Sequence, residues 1–190
     1  MVGSKDIVTL HYFTRNNPNF IHKWYKTNVL HLCLYHMGFY SIKSEQKLPI
    51  SLKEAWDFFS SPRNLSKITP KEMGFEITND PDPKMFQGQI ITYTVKPVLG
   101  IKMPWMTEIT TVDEGNYFVD EQRFGPYALW HHRHYFKEID GGVLVGDEVN
   151  YKVPFGILGD IANAVFVKNK LKQVFKYRET VLIERFGLFK

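Results

Sequence analysis

The interval between turn signals restricts the fold of this chain more than any other feature. From Phe75 onward, strand-like segments follow one another as Phe75–Thr78, Gln89–Lys96, Met106–Val112, Tyr117–Arg123, Trp130–Ile139 and Val143–Lys152. The breakers between them read NDPDP, KPVLGIKMP, DEGN, FGPY and DGG. β-Branched and aromatic residues bounded by Gly, Pro, Asn and Asp mark half-buried strands and tight turns. No helix fits between consecutive segments, so neighbouring strands must run antiparallel. Asp140-Gly141-Gly142 reads as a hairpin turn, because glycine takes positive φ without steric cost.

On either side of this array the pattern changes. Tyr40–Leu48 alternates weakly and reads as a first strand, ended by Pro49. In SLKEAWDFF, Ser51 and Glu54 form a capping box, and Leu52, Ala55, Trp56 and Phe59 form an apolar helical face. A second short helix is expected from Ser61-Pro62 to the stop at Pro70. After VPFGILGD, a strand-to-helix turn and candidate cavity lip, Ile161, Ala164, Val167, Leu171, Val174 and Val181 recur at helical steps. Lys168, Lys170, Lys172 and Lys176 lie among them and read as the solvated face. The order predicts an α+β fold. A curved antiparallel sheet of about seven strands, with two short helices after the first, wraps around a long C-terminal helix. Such a sheet leaves a cavity against the helix, and an aromatic content of 15% supplies its walls.

The chain divides into unequal parts. Residues 1–36 lack helical or strand period and hold four of the seven histidines and the lone cysteine, Cys33. Two readings stay open: a weakly packed N-terminal extension, or residues translated upstream of a natural start at Met37. Residues 37–190 form the expected domain. They carry 20 basic and 19 acidic side chains, so bulk charge gives no argument for nucleic acid. Without cysteine, the body has neither a disulfide nor a thiolate metal site, and a cytoplasmic setting is expected. No apolar run approaches the ~20 residues of a membrane-spanning helix.

The candidate site lies in DEQRFGPYALWHHRHYF, residues 120–136. If Phe118 faces inward, strand alternation brings Asp120 and Gln122 with it. Burying Trp130 and Phe136 carries His132 and His134 inward, and burying Val149 and Tyr151 carries Asp147. These polar residues amid rings have three readings. A hydrogen-bonded network would satisfy them internally. A ligand-binding set of Trp130, His132, His134, Asp120, Gln122, Asp147 and Tyr151 would hold the polar end of an apolar ligand. An acid–base centre would use an imidazole. His-x-His with a carboxylate is also a weak metal pattern; His131 points the other way, so no third histidine completes it, and neither metal nor cofactor is expected. Glu108 either lines the cavity or belongs to a solvated strand face.

The run FVDEQRFGPYALWHHRHYFKEIDGGVLVGDEVNYKVPFG and the helical pair SLKEAWDFFSSPRNLSKITP resemble the START-like, or SRPBCC, helix-grip superfamily, in its polyketide-cyclase-like, ligand-binding branch. The resemblance covers about 150 residues. It implies a helix-grip fold around a cavity for a small hydrophobic ligand, whether lipid, aromatic or polyketide-like. The superfamily also holds enzymes, so a cyclase, dehydratase or hydrolase using the inward His/Asp cluster is the alternative, and a protein-interaction module is a third. Some relatives join such a domain to a nucleotide-sugar epimerase-like domain; this chain has no G-x-G-x-x-G after a strand. Expressed alone, residues 37–190 are expected to keep the melting temperature of the full chain. A large drop in a thermal melt would show that the leading residues belong to the fold.

Overall fold

The computed structural model describes residues 38–97 and 100–190. The expectations for residues 1–36 lie outside the described residues. Seven strands form one antiparallel sheet in the order β1-β7-β6-β5-β4-β3-β2. They are β1 (Tyr40–Leu48), β2 (Glu76–Ile77), β3 (Ile90–Val95), β4 (Met103–Asp113), β5 (Tyr117–Phe124), β6 (Leu129–Ile139) and β7 (Gly142–Lys152). From β2 to β7 each strand pairs with its successor, as short connections require. β1 then returns along β7 from Tyr40↔Tyr151 to Leu48↔Val143. The β6–β7 hairpin closes through Asp140-Gly141, with Ile139 opposite Gly142 and Gly141 at φ 77.

Helix α1 (Leu52–Phe59) follows β1, and the Ser51 side chain accepts the Glu54 N–H at 3.1 Å. That bond satisfies one of the free donors at a helix start. The second expected helix is instead a 3-10 turn, Pro62–Ile68, followed by another at Lys71–Met73. Its polar side chains bond to nearby backbone: Asn64 donates to the Phe58 carbonyl and Thr69 to the Leu65 carbonyl. Such local bonds compete with a regular α-helix. Strand β4 begins before Pro104, which the sequence places in a breaker. Proline is tolerated there because the ladder to β5 starts only at Met106↔Phe124.

The C-terminal helical run comprises α2 (Ile157–Ala162), a π-helical turn at Asn163–Val167, and α3 (Lys168–Phe186). The wide turn shifts the helical phase. The buried stripe is therefore Asn163, Val167, Leu171, Phe175, Arg178 and Leu182. Ile161 and Ala164, expected inside, are exposed. No helix among the described residues is long and apolar enough to cross a membrane.

Three apolar clusters meet under the helices. One joins Trp56, Phe58 and Phe59 to Phe118, Phe136 and Leu182. A second packs Val149 and Tyr151 beneath Val167, Leu171 and Phe175. The third is Met73, Val95 and Trp105. This is the helix-grip α+β architecture: one antiparallel sheet carrying a long helix across a single face. Ser51→Ala should lower stability by about 1 kcal/mol through loss of the cap. A melting temperature unchanged from wild type would show that the bond contributes nothing.

Candidate functional site

Strand alternation and register build the site. Across β5, β6 and β7, Asp120 stands opposite His132, which stands opposite Val149. One step along the same face, Phe118 stands opposite His134, which stands opposite Asp147. Both imidazoles are buried, with ring centroids 3.8 Å apart and ring planes tilted by 39°. Phe118 stacks on His134 at 4.2 Å.

Each imidazole lies between the same two carboxylates. His132 Nε2 donates to Asp147 Oδ1 at 2.9 Å, and its Nδ1 lies 3.3 Å from Asp120 Oδ2. His134 Nε2 donates to Asp120 Oδ2 at 3.0 Å. His134 Nδ1 is 2.9 Å from Asp147 Oδ1 but is not aligned for a hydrogen bond. Arg178 of α3 completes the group, donating from Nη1 to Asp147 Oδ1 at 2.8 Å. Burial opposes charge on every member. For Asp147, Arg178 and the histidines outweigh burial and hold the carboxyl well below its usual range. For Asp120, His132 and His134 likewise outweigh burial and hold it low. Burial also disfavours the His132 imidazolium, but Asp120 and Asp147 prevail and push its pKa up to about 9. Arg178 and His132 thus supply positive charge beside the two carboxylates, which offsets part of the cost of burying them.

A cavity of about 160 Å3 opens beside this cluster. Asp120, His132, His134 and Arg178 form its polar wall. Tyr93, Trp105, Phe118, Tyr127, Trp130 and Phe175 are among its aromatic walls. Trp105 Nε1 and Arg178 Nε are buried donors with no acceptor among the described residues.

The seven candidate residues separate by position. Asp120, Trp130, His132 and His134 line the cavity. Asp147 lies outside its lining and anchors both rings and Arg178. Gln122 is also outside the lining, since the β5–β6 ladder ends at Glu121↔His131. Its side chain instead closes the turn, donating to the Tyr127 carbonyl at 2.7 Å and accepting the Tyr127 N–H at 3.2 Å. Tyr151 is sealed under the helix and donates to Asn163 Oδ1 at 2.8 Å. Glu108 faces the other side of the sheet, paired with Arg123 at 2.6 Å. His131 is on that side too, 2.9 Å from Glu121. The VPFGILGD turn does not line the cavity. Arg178 was not among the sequence candidates, although it lies seven residues after Leu171, on the apolar stripe. A charge in that phase was the available signal.

Donor atoms of Asp120, His132 and His134 lie within 4.8 Å of one another, close enough to share a metal ion. The ion-pair network accounts for the same positions without one. Chemically, the group presents a carboxylate and a charged imidazole to an apolar space.

No protein-family model matches the chain, and no curated protein matches it in sequence. Among solved structures, protein CV1439 from Chromobacterium violaceum is similar at 12% identity and TM-score 0.58, over 78% of this chain and 98% of that one. Ara h 8.0201 is similar at 18% identity and TM-score 0.51, over 77% of this chain and 99% of that one. A nucleoside-diphosphate sugar epimerase from Corynebacterium glutamicum is similar at 21% identity and TM-score 0.54, over 75% of this chain but only 28% of that one. These likenesses show the fold.

The raised pKa of His132 sets a pH dependence. Its stabilisation is complete below about 6.5, the unfolded value. It is lost as pH rises through about 9. Between pH 6.5 and 9.5 this costs on the order of 3 kcal/mol, or roughly 5–10 °C in melting temperature. His132→Gln should melt lower at pH 6.5 and lose this slope. A wild-type melting temperature that stays flat over the interval would rule out the charged imidazole.

Proposed function

We propose that the protein binds a small, uncharged, single-ring ligand, with the ring among the aromatic walls and a polar substituent at the Asp120/His132/Arg178 end. The observation that carries this reading is an aromatic cavity of about 160 Å3 ending in a His/Asp/Arg cluster. A cavity of about 150 Å3 accommodates a benzene-sized ring. The volume thus favours the aromatic ligand over the lipid and polyketide-like ones that the sequence reading held open. Because Asp120 stands ionised in the cavity wall, an anionic ligand would bring like charge beside it. The His132 and Arg178 donors in the polar wall favour a ligand oxygen that accepts, such as a carbonyl.

The same geometry supports a second reading, an acid–base enzyme. His132 holds its proton at neutral pH, so its role there would be proton donor rather than base. Binding and proton donation share one pocket, and ligand identification precedes any test of turnover.

Thermal shift and calorimetry with acetophenone, benzyl alcohol, benzoate and palmitate test the binding reading. The two neutral single-ring probes should raise the melting temperature, with benzoate and palmitate well behind. Trp105→Ala should weaken acetophenone about fivefold through loss of an aromatic wall. No shift with either neutral probe, or a preference for palmitate, would overturn the assignment.

A further inference from the structure

The start of the C-terminal helical run has its apolar side turned outward. Four residues direct the opposite side to the protein. Gly159 fits against the Pro154 carbonyl so closely that a Cβ would collide with it. Asp160 accepts the Tyr40 hydroxyl at 2.8 Å and the Gly38 N–H at 3.2 Å. Asn163 accepts the Tyr151 hydroxyl, and Val167 packs into the second apolar cluster. With these turned inward, Ile157, Leu158, Ile161 and Val165 project outward at steps of one, three and four. Leu158 is 72% exposed and Val165 73%. These spacings place all four on one helical face. Single exposed apolar residues need no explanation, whereas a contiguous set this large marks an interaction surface.

Two further observations identify what that surface fits. Phe155, immediately before the helix, is 83% exposed at φ 73, the one non-glycine positive φ among the described residues. A strained backbone that holds a large ring in solvent is costly, and such strain concentrates at functional positions. The charge pattern then selects a partner. Between Val149 and Arg178 the only acid is Asp160, whose carboxylate is turned to Tyr40 and Gly38. Past the apolar face, Lys168 and Lys172 are exposed at the next helical steps. Apolar side chains followed by lysines along one exposed helix suit the boundary of an anionic bilayer. A neutral protein partner would have no use for the lysines.

We infer that Phe155, Ile157, Leu158, Ile161 and Val165, with Lys168 and Lys172, form a surface that docks on anionic lipid bilayers. The helix lies in the interface plane: the apolar side chains enter the headgroup–acyl boundary while the lysines meet acidic headgroups. Docking of this kind is peripheral and reversible. It does not depend on what the cavity binds.

The test is co-sedimentation of the full chain with vesicles of phosphatidylcholine alone or with one-third phosphatidylserine. Binding is expected to the mixed vesicles and to weaken as salt rises. Lys168→Gln with Lys172→Gln should weaken it on the order of 20-fold, at about a fivefold loss per lysine. Leu158→Glu with Val165→Glu should abolish it while the melting temperature holds, since both side chains are exposed. Phe155→Gly should also weaken it without lowering the melting temperature, because glycine accepts the strained φ. Three results would overturn the inference: no binding to mixed vesicles, equal binding to both vesicle types, or a concentration-dependent dimer that the Leu158/Val165 variant disperses.

Discussion

Asp147 is the point on which the interior of this protein depends. Its Oδ1 accepts from Arg178 at 2.8 Å and from His132 at 2.9 Å, and it lies 2.9 Å from His134. The carboxylate comes from β7, the imidazoles from β6 and the guanidinium from α3. One buried oxygen therefore ties two strands to the helix that crosses them. Buried ions carry a desolvation cost, and removing one partner leaves another uncompensated. The arrangement holds because each carboxylate has a cationic partner: Arg178 and His132 beside Asp147, and His132 beside Asp120. Such a cluster is a weak source of net stability, but it fixes register and helix position.

The cavity follows from that position. Arg178 brings α3 over the sheet at the polar cluster, while Leu182 joins the cluster around Trp56 and Val167 the cluster around Tyr151. Trp105 and its neighbours form a third packing centre. Space remains where the three meet, because large rings line it without filling it. The polar cluster supplies one wall of that space. A structural network and a recognition surface are thus the same atoms seen from two sides: Asp147 behind the rings, Asp120 at the cavity.

The two faces of the sheet use similar residues differently. His131 and His132 are adjacent, yet His131 pairs with half-exposed Glu121 while His132 is buried between two carboxylates. Glu108 and Asp120 are also both acids on central strands. Glu108 meets Arg123 on the outer face, whereas Asp120 is largely enclosed and held ionised by two histidines. Water screens the outer pairs, so they contribute little. Inside, the same chemistry sets protonation states and the polarity of a cavity.

Local rules made much of this legible. Period-two alternation placed His132, His134 and Asp120 on one face, because a strand cannot turn one neighbour inward without its i+2 partner. Short Gly/Pro-bounded connections dictated antiparallel pairing, and Ser51 marked the start of α1. What the tertiary structure decided involved contacts distant in sequence or departures from a regular period. Gln122 shares the phase of Asp120, but the paired ladder ends before it, so its amide closes a turn instead. The π-helical turn at Asn163–Val167 reset the helical phase, exposing Ile161 and Ala164. Arg178 and Asp147 are 31 residues apart, and no local pattern links them. Cavity volume likewise depends on how three packed clusters meet. Sequence periodicity specifies the direction in which a side chain leaves its own strand or helix; the distance to what it meets is set only when those elements pack.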